Sequence, residues 1–299
     1  MSAEQEGTRE RNSDKPLAPG LYLVATPIGN LEDITLRALR ILRSVDRIAC
    51  EDTRQTQKLL NHFEIHTPTV SYHMHNEGSR SEELVAELKL GARIAIVSDA
   101  GTPGIADPGG QIASAAIAAG VDVFPVPGAN AAISGLIASG LPTERFTFNG
   151  FLPAKAGQRK TALEALDRGD ATHLFYEAPH RILDTLADVE TVFGPAQHVV
   201  IARELTKLYE EFLRGPVSEL RAQLAGRPSI RGEIVLLLAP AAAENTTAAP
   251  RASIATEVTA LMKSEGISDK DALKRVARER GIGKSEAYRE LQREQNRLR

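Results

Sequence analysis

The sequence predicts an α/β fold that ends in a small helical domain, and three observations carry this prediction. Short apolar, β-branched runs alternate with helical stretches from residue 21 to residue 238. A stretch of small residues and proline without periodicity, APAAAENTTAAPRA at 239–252, interrupts the pattern. Beyond it, three short helical segments are joined by glycine turns. In order, LYLVAT at 21–26 reads as a strand, 34–42 as an amphipathic helix and VDRIAC at 45–50 as a second strand. RIAIVS at 93–98, VDVFPV at 121–126, RFTFNG at 145–150, THLFYE at 172–177, HVVIAR at 198–203 and EIVLLL at 233–238 continue the series. Apolar strands alternating with helices predict parallel or mixed sheets covered on both faces. Gly140-Leu141-Pro142 closes one set of units, which divides 20–141 from 142–239. Residues 1–19, polar and holding two prolines, are expected to be a disordered lead-in, and 240–252 a linker. The segments 253–262, 268–280 and 284–298 then form a helix-turn-helix-like module, with Ser268 as N-cap and Asp271 in the first turn.

Composition narrows the function. The single cysteine, Cys50, excludes an internal disulfide, an iron–sulfur cluster and a cysteine-rich zinc site, and fits a reducing compartment. The N-terminus lacks the apolar core of a signal peptide, and the apolar stretch at 234–243 is far shorter than the roughly 20 residues of a membrane helix, so a soluble cytoplasmic protein is expected. The net charge of −3 conceals an asymmetry: residues 251–299 carry 12 Lys and Arg against 8 Asp and Glu. A basic tail favours a polyanion such as RNA, although a solvated helical face has the same look.

Three turns following predicted strands are candidates for ligand contact: Thr26 to Asp33, Ser98 to Gly110 and Pro127 to Ala131. Open α/β sheets bind ligands at the carboxyl ends of their strands, and glycine lets a backbone approach closely. Asn30 or Asp33 is expected to cap the first helix. None of the turns carries the dinucleotide or Walker fingerprint; GIGKS at 281–285 has Arg278 where a P-loop needs glycine and follows no strand. Seven histidines form neither HExxH nor a Cys/His spacing, so no metal is expected, and no serine lies in GxSxG. Polar clusters follow three more strands: Glu51-Asp52-Thr53-Arg54, Glu177-Ala178-Pro179-His180-Arg181 and Arg203-Glu204-Leu205-Thr206-Lys207. Singly such residues are usually caps or surface ion pairs; as a set they outline a polar mouth.

Eight segments, LVATPIGNLEDIT, CEDTRQT, SDAGTPGIADPG, VPGANAAISGL, FNGFLP, FYEAPHRI, ARELTKLYEE and RGEIVLLL, follow one another in this order between residues 20 and 240. The chain therefore resembles the ribosomal small-subunit RNA ribose 2′-O-methyltransferases of the tetrapyrrole-methylase superfamily. The resemblance implies two α/β domains of the tetrapyrrole methylase type with S-adenosylmethionine in the cleft between them, a homodimer, and methylation of a cytidine 2′-hydroxyl in the decoding region of 16S ribosomal RNA. Carried over by motif, Pro27, Ile28, Gly29, Asp99, Ala100, Gly101, Ile105, Asn130, Ala131, Glu177 and Glu233 become the cofactor-binding residues.

Methyl transfer from a sulfonium is an in-line displacement that depends on alignment, and a ribose hydroxyl needs a proton acceptor nearby. Glu51, Glu177 and Glu204 are the candidate acceptors; Arg54, Arg203 and Lys207 complete the catalytic candidates as cations beside a developing alkoxide or an RNA phosphate. Arg181, Lys274, Arg275, Arg278, Lys284 and Arg289 are the candidate RNA contacts. Phe151 and Tyr176 are candidates to stack on a splayed base, though both are expected in the core. Two other readings compete: a corrin or porphyrin precursor as methyl acceptor, and a nucleic-acid-binding regulator whose α/β body senses a ligand.

Overall fold

The computed structural model describes residues 16–167, 169–241, 254–280, 287, 288 and 291. The apolar runs assemble into two five-stranded sheets. The first contains β1 (Gly20–Val24), β2 (Arg47–Cys50), β3 (Thr69–Ser71), β4 (Arg93–Val97) and β5 (Val123–Val126) in the order β3-β2-β4-β1-β5. Every pair in it is parallel. The two-residue period decides which helix covers which face. Tyr22, Val24, Ile48, Cys50, Ala95 and Val97 pack against α1 (Leu36–Ser44) and α2 (Thr53–His62). Leu21, Ala49, Ile94 and Ile96 pack against α3 (Glu77–Lys89) and α4 (Gly110–Ala118) on the opposite face. α1 begins where the Thr35 hydroxyl accepts from the Ala38 N–H at 3.1 Å, and it buries a stripe of Ala38, Ile41 and Leu42. Asn30 instead caps a single 3-10 turn over Leu31–Asp33. The helices after the adjacent strands β1 and β4 leave to opposite faces, which opens a crevice at the carboxyl ends of these two strands.

The second sheet is mixed. It contains β6 (Phe146–Phe151), β7 (Thr172–Glu177), β8 (His198–Arg203), β9 (Glu211–Pro216) and β10 (Ile234–Leu238) in the order β6-β7-β10-β8-β9. β6 and β7 are parallel, while β10 runs antiparallel to both β7 and β8, and β9 antiparallel to β8. One face, with Phe175, Val199, Ile201 and Leu236, is covered by α6 (Ala156–Glu164), α7 (Ile182–Phe193) and α8 (Val217–Ala225). A buried ion pair, Arg159 to Asp188 at 2.7 Å, joins α6 to α7. The other face, with Leu174, Val200, Ala202, Val235 and Leu237, is covered by α5 (Ala131–Ile137) through Ala132 and Leu136. α5 precedes the expected boundary at residue 142 yet packs on the sheet that follows it, and Met1–Ala241 hold together as one compact unit.

Ala242–Arg299 form the second unit. Its described helices are α9 (Ile254–Glu265) and α10 (Asp269–Arg280), packed through Ile254, Val258, Ala272, Leu273, Val276 and Ala277, with Ala287 and Leu291 completing the cluster. Gly266 makes the turn at φ 65°, and the Ser268 hydroxyl accepts from the Asp271 N–H at 3.2 Å, an N-cap. The lead-in as far as residue 15, the linker from 242 and most of the segment 284–298 lie outside the described residues. Among the described residues no helix is long and apolar enough to cross a membrane.

Candidate active site

The three turns named from the sequence are stitched together by their backbones. Thr26 donates its N–H to the Gly101 carbonyl at 2.8 Å and receives the Gly101 N–H at 3.0 Å, so the first turn and the long loop form a two-bond bridge. The Thr102 hydroxyl donates to the Ala129 carbonyl at 3.1 Å and accepts from Asn130 Nδ2 at 3.3 Å, which ties in the third turn. Gly101 adopts φ 82°, and a Cβ there would meet the Ile28 side chain at 3.2 Å, so both the conformation and the close approach call for glycine.

Between this stitched edge and the second sheet lies a cavity of about 450 Å³. The size and the mainly apolar lining suit a small-molecule ligand. Its first wall is Ile28, Ala100, Gly101, Thr102, Ile105, Ala106 and Ala131; its second is Phe151, Tyr176, Ala202, Leu205, Ile234 and Val235. Five carboxylates, Glu51, Asp99, Asp107, Glu177 and Glu233, also line it, and no Lys or Arg does among the described residues. Burial, with the neighbouring Glu51 and Asp99, pushes the Asp107 carboxyl up to about 6 against a hydrogen bond from Ser98. Burial and then Asp99 raise Glu51, while His73 works in the opposite direction. Asp99 also accepts the Asp52 N–H at 3.0 Å.

Of the residues singled out as cofactor contacts, Ile28, Asp99, Ala100, Gly101, Ile105, Ala131, Glu177 and Glu233 reach the cavity wall. Pro27, Gly29 and Asn130 are not part of that wall. Asn130 caps α5, accepting from the Ile133 N–H at 3.1 Å, and Gly29 lies directly under the aliphatic stem of Lys207.

Among the residues expected to act in catalysis, Glu51 and Glu177 line the cavity. Glu177 is buried, and its carboxylate accepts from the Thr185 hydroxyl at 2.6 Å and the Ala178 N–H at 2.8 Å. Arg54 points to solvent, clamped on Asp52 at 2.9 Å. Arg203 pairs with Glu211 at 3.1 Å, and Lys207 bonds Glu204 at 2.8 Å and Glu233 at 2.6 Å. Arg203, Glu204 and Lys207 therefore form an ion-paired shelf beside the cavity.

Arg181, expected on the RNA side, turns inward: its guanidinium donates to the Leu152 carbonyl at 2.6 Å and lies 3.3 Å from Glu177. Lys274 and Arg275 are exposed on α10; the Arg278 side chain, Lys284 and Arg289 fall outside the described residues. Phe151, expected in the core, is 56% exposed at the cavity wall, its ring edge-on to Tyr176 at 5.7 Å. Asp107 was not singled out from the sequence, although it lies in the ADPG segment of the long loop; its half-burial beside two other carboxylates appears only in three dimensions. Among the described residues no group of His, Cys, Asp and Glu is arranged to hold a metal ion.

Two α/β halves with a ligand-sized cavity at the switch point of the parallel sheet define a class. The sequence pattern of the tetrapyrrole (corrin/porphyrin) methylases matches residues 20–221, and the chain belongs to that family. Within it, the chain is 49% identical over 273 residues to ribosomal RNA small subunit methyltransferase I of Halalkalibacterium halodurans, covering 90% of this chain and 93% of the relative. It is 45% identical over 268 residues to the protein of the same name from Synechocystis sp., covering 90% and 95%. A crystal structure of uroporphyrin-III-C-methyltransferase from Thermus thermophilus is similar in fold, with a TM-score of 0.52 at 23% identity, covering 74% of this chain and 94% of that one.

Proposed function

We propose that this chain is an S-adenosylmethionine-dependent methyltransferase that methylates the ribose 2′-hydroxyl of a cytidine in the decoding region of 16S ribosomal RNA. The observation that carries the reading is the carboxylate-lined cavity at the stitched edge of the parallel sheet. Of the five carboxylates, Glu177 and Glu233 are paired with Arg181 and Lys207. A cavity whose other three, Glu51, Asp99 and Asp107, meet no Lys or Arg among the described lining residues, with an apolar wall, suits a ligand that is cationic and apolar at once; the cofactor, with its sulfonium, ammonium and adenine, has that character. When bound it supplies an electrophilic methyl group. Ile28, Ala131, Leu205 and Val235 would hold its apolar parts, and Asp99 with Glu51 its positive ones.

The chain's own residues then have to position the ribose and take its proton. Asp107 is the acceptor best matched to neutral pH, because a carboxyl at about 6 is mostly ionised there yet more basic than an ordinary carboxylate. The relatives named for ribosomal RNA match over nine-tenths of this chain and favour RNA as the acceptor. A corrin or porphyrin precursor, rich in carboxylates, would meet Glu51, Asp99 and Asp107 with no Lys or Arg among the described lining residues, since Arg54 is held by Asp52, and Arg181 by Glu177 and the Leu152 carbonyl. A cytoplasmic homodimer acting on the small ribosomal subunit or its RNA, with the basic tail adding RNA affinity, belongs to the same proposal.

The test is transfer of label from methyl-labelled S-adenosylmethionine to small subunits purified from cells lacking the enzyme, mapped to nucleotide and atom. Label on one cytidine ribose is the expected outcome. A labelled base, or no labelled RNA despite cofactor binding, would overturn the proposal.

A further inference from the structure

The connection from Glu204 to Glu210 carries more strain and more ordering than joining β8 to β9 requires. Glu204 and Thr206 adopt φ 52° and 65°, left-handed conformations that a residue with a Cβ disfavours. The Thr206 hydroxyl oxygen is buried without a hydrogen-bond partner. The loop nonetheless has a fixed shape. Lys207 bonds Glu204 at 2.8 Å and Glu233 at 2.6 Å, the Thr206 N–H donates to the Glu210 carboxylate at 2.6 Å, and Arg203 donates to the Tyr209 carbonyl at 3.3 Å. What this scaffold holds out is a pair of adjacent large side chains, Leu208 at 88% and Tyr209 at 68% exposure.

The loop is placed by sheet register. Arg203 and Glu177 both lie opposite Ile234, and Phe151 lies opposite Tyr176, so the ends of β6, β7 and β8 share one edge with the start of β10. That edge is the cavity's second wall, and Leu205 and Glu233, at the base of the loop, line the cavity. Exposed Phe151 therefore stands toward the β6 end of this edge and Leu208-Tyr209 beyond β8, toward the other.

We propose that Leu208 and Tyr209 form a stacking platform for an unpaired nucleobase of the RNA, holding it beside the cavity while the target ribose enters. The inference rests on RNA being the methyl acceptor. A ribose cannot enter a cavity between two sheets while its nucleotide stays in a continuous stack, so bases leave that stack and need another apolar surface. An aromatic ring supplies one for any base, and a loop already ordered loses little freedom on binding.

The experiment compares the wild type with Tyr209→Ala, Tyr209→Phe and Leu208→Ser in methyl transfer to unmethylated small subunits, alongside calorimetric binding of S-adenosylhomocysteine and sedimentation. Y209A is expected to raise KM for the particles roughly 5- to 150-fold. S-adenosylhomocysteine affinity and oligomeric state stay unchanged, Y209F stays within about twofold of wild type, and L208S shows a smaller rise in KM than Y209A. A Y209A enzyme with wild-type KM would overturn the inference. So would equal damage from Y209F, which would assign the role to the hydroxyl, or a change in oligomeric state, which would assign the patch to a second copy of the chain. If the wild type itself labels no RNA, the proposed function fails, whatever the variants do.

Discussion

The two walls of the cavity handle negative charge in opposite ways. On the parallel-sheet side Glu51, Asp99 and Asp107 crowd together, with no Lys or Arg among the described lining residues, and burial and mutual repulsion raise the proton affinity of Glu51 and Asp107. On the mixed-sheet side the acids beside the cavity are paired. The Lys207 bond lowers Glu204, and the Arg227 guanidinium, helped by Arg203, holds Glu211 down to about 2. Lys207 itself is raised: burial would lower it, but its bonds to Glu204 and Glu233 outweigh that. Charge left uncompensated costs folding free energy and makes sense where a cation is to arrive; charge that is compensated builds a scaffold.

The largest expected effect comes from removing the most perturbed acid. Asp107→Asn should lower kcat/KM for methyl transfer by about 10²- to 10⁴-fold, and the wild-type rate should fall as pH drops through about 6, a limb the variant lacks. Single-turnover rates from pH 5 to pH 8, in roughly half-unit steps, would show this. A variant that keeps both rate and limb would shift the base to another carboxylate. Next comes the buried pair behind the mixed sheet: Asp188→Ala strands Arg159 and should cost about 3–5 kcal/mol in urea unfolding. Deleting 251–299 should weaken RNA binding and flatten its salt dependence, by about 0.7–0.9 in log–log slope for each phosphate the tail no longer neutralises, without altering cofactor affinity.

The smallest effects are titrations of opposite sign. Asp107 binds its proton more tightly folded than unfolded, so the stability it contributes is present at low pH and is lost as pH rises through about 6. Glu211 contributes stability above the ordinary carboxylate range that is lost as pH falls toward about 2, and Glu211→Gln should remove that acid-side slope in a series of thermal melts.

Much of the fold was legible because central strands are buried on both faces and read as continuous apolar runs. Of the four edge strands, β5 and β6 were still read as strands, whereas β3 and β9 escaped the sequence: TVS is short and only half-buried, and EFLRGP mixes charge, glycine and proline. The turns that meet at the cavity were legible too, since glycine and proline cluster there after strands. The pairing of charges was not. Arg181 and Lys207 sit in motifs that suggest binding, and each has one acidic neighbour in its own motif, Glu177 and Glu204, but the second partner of each lies on another element, the Leu152 carbonyl after β6 and Glu233 before β10. Asp107 was hidden for the complementary reason, since nothing local marks a carboxylate as half-buried next to Asp99 of its own loop and Glu51 of a distant segment.

Strand order has one more consequence, for synthesis. β10 is the last strand of the mixed sheet to be made, yet it lies in the middle, between β7 and β8. While the chain emerges from the ribosome, the parallel sheet has all its strands by Val126, whereas β6-β7 and β8-β9 remain separate ribbons until Ile234–Leu238 appear. α5 waits through that interval with Ala132 and Leu136 uncovered, so a nascent chain halted before residue 234 should carry one folded sheet and an apolar helix that recruits chaperones.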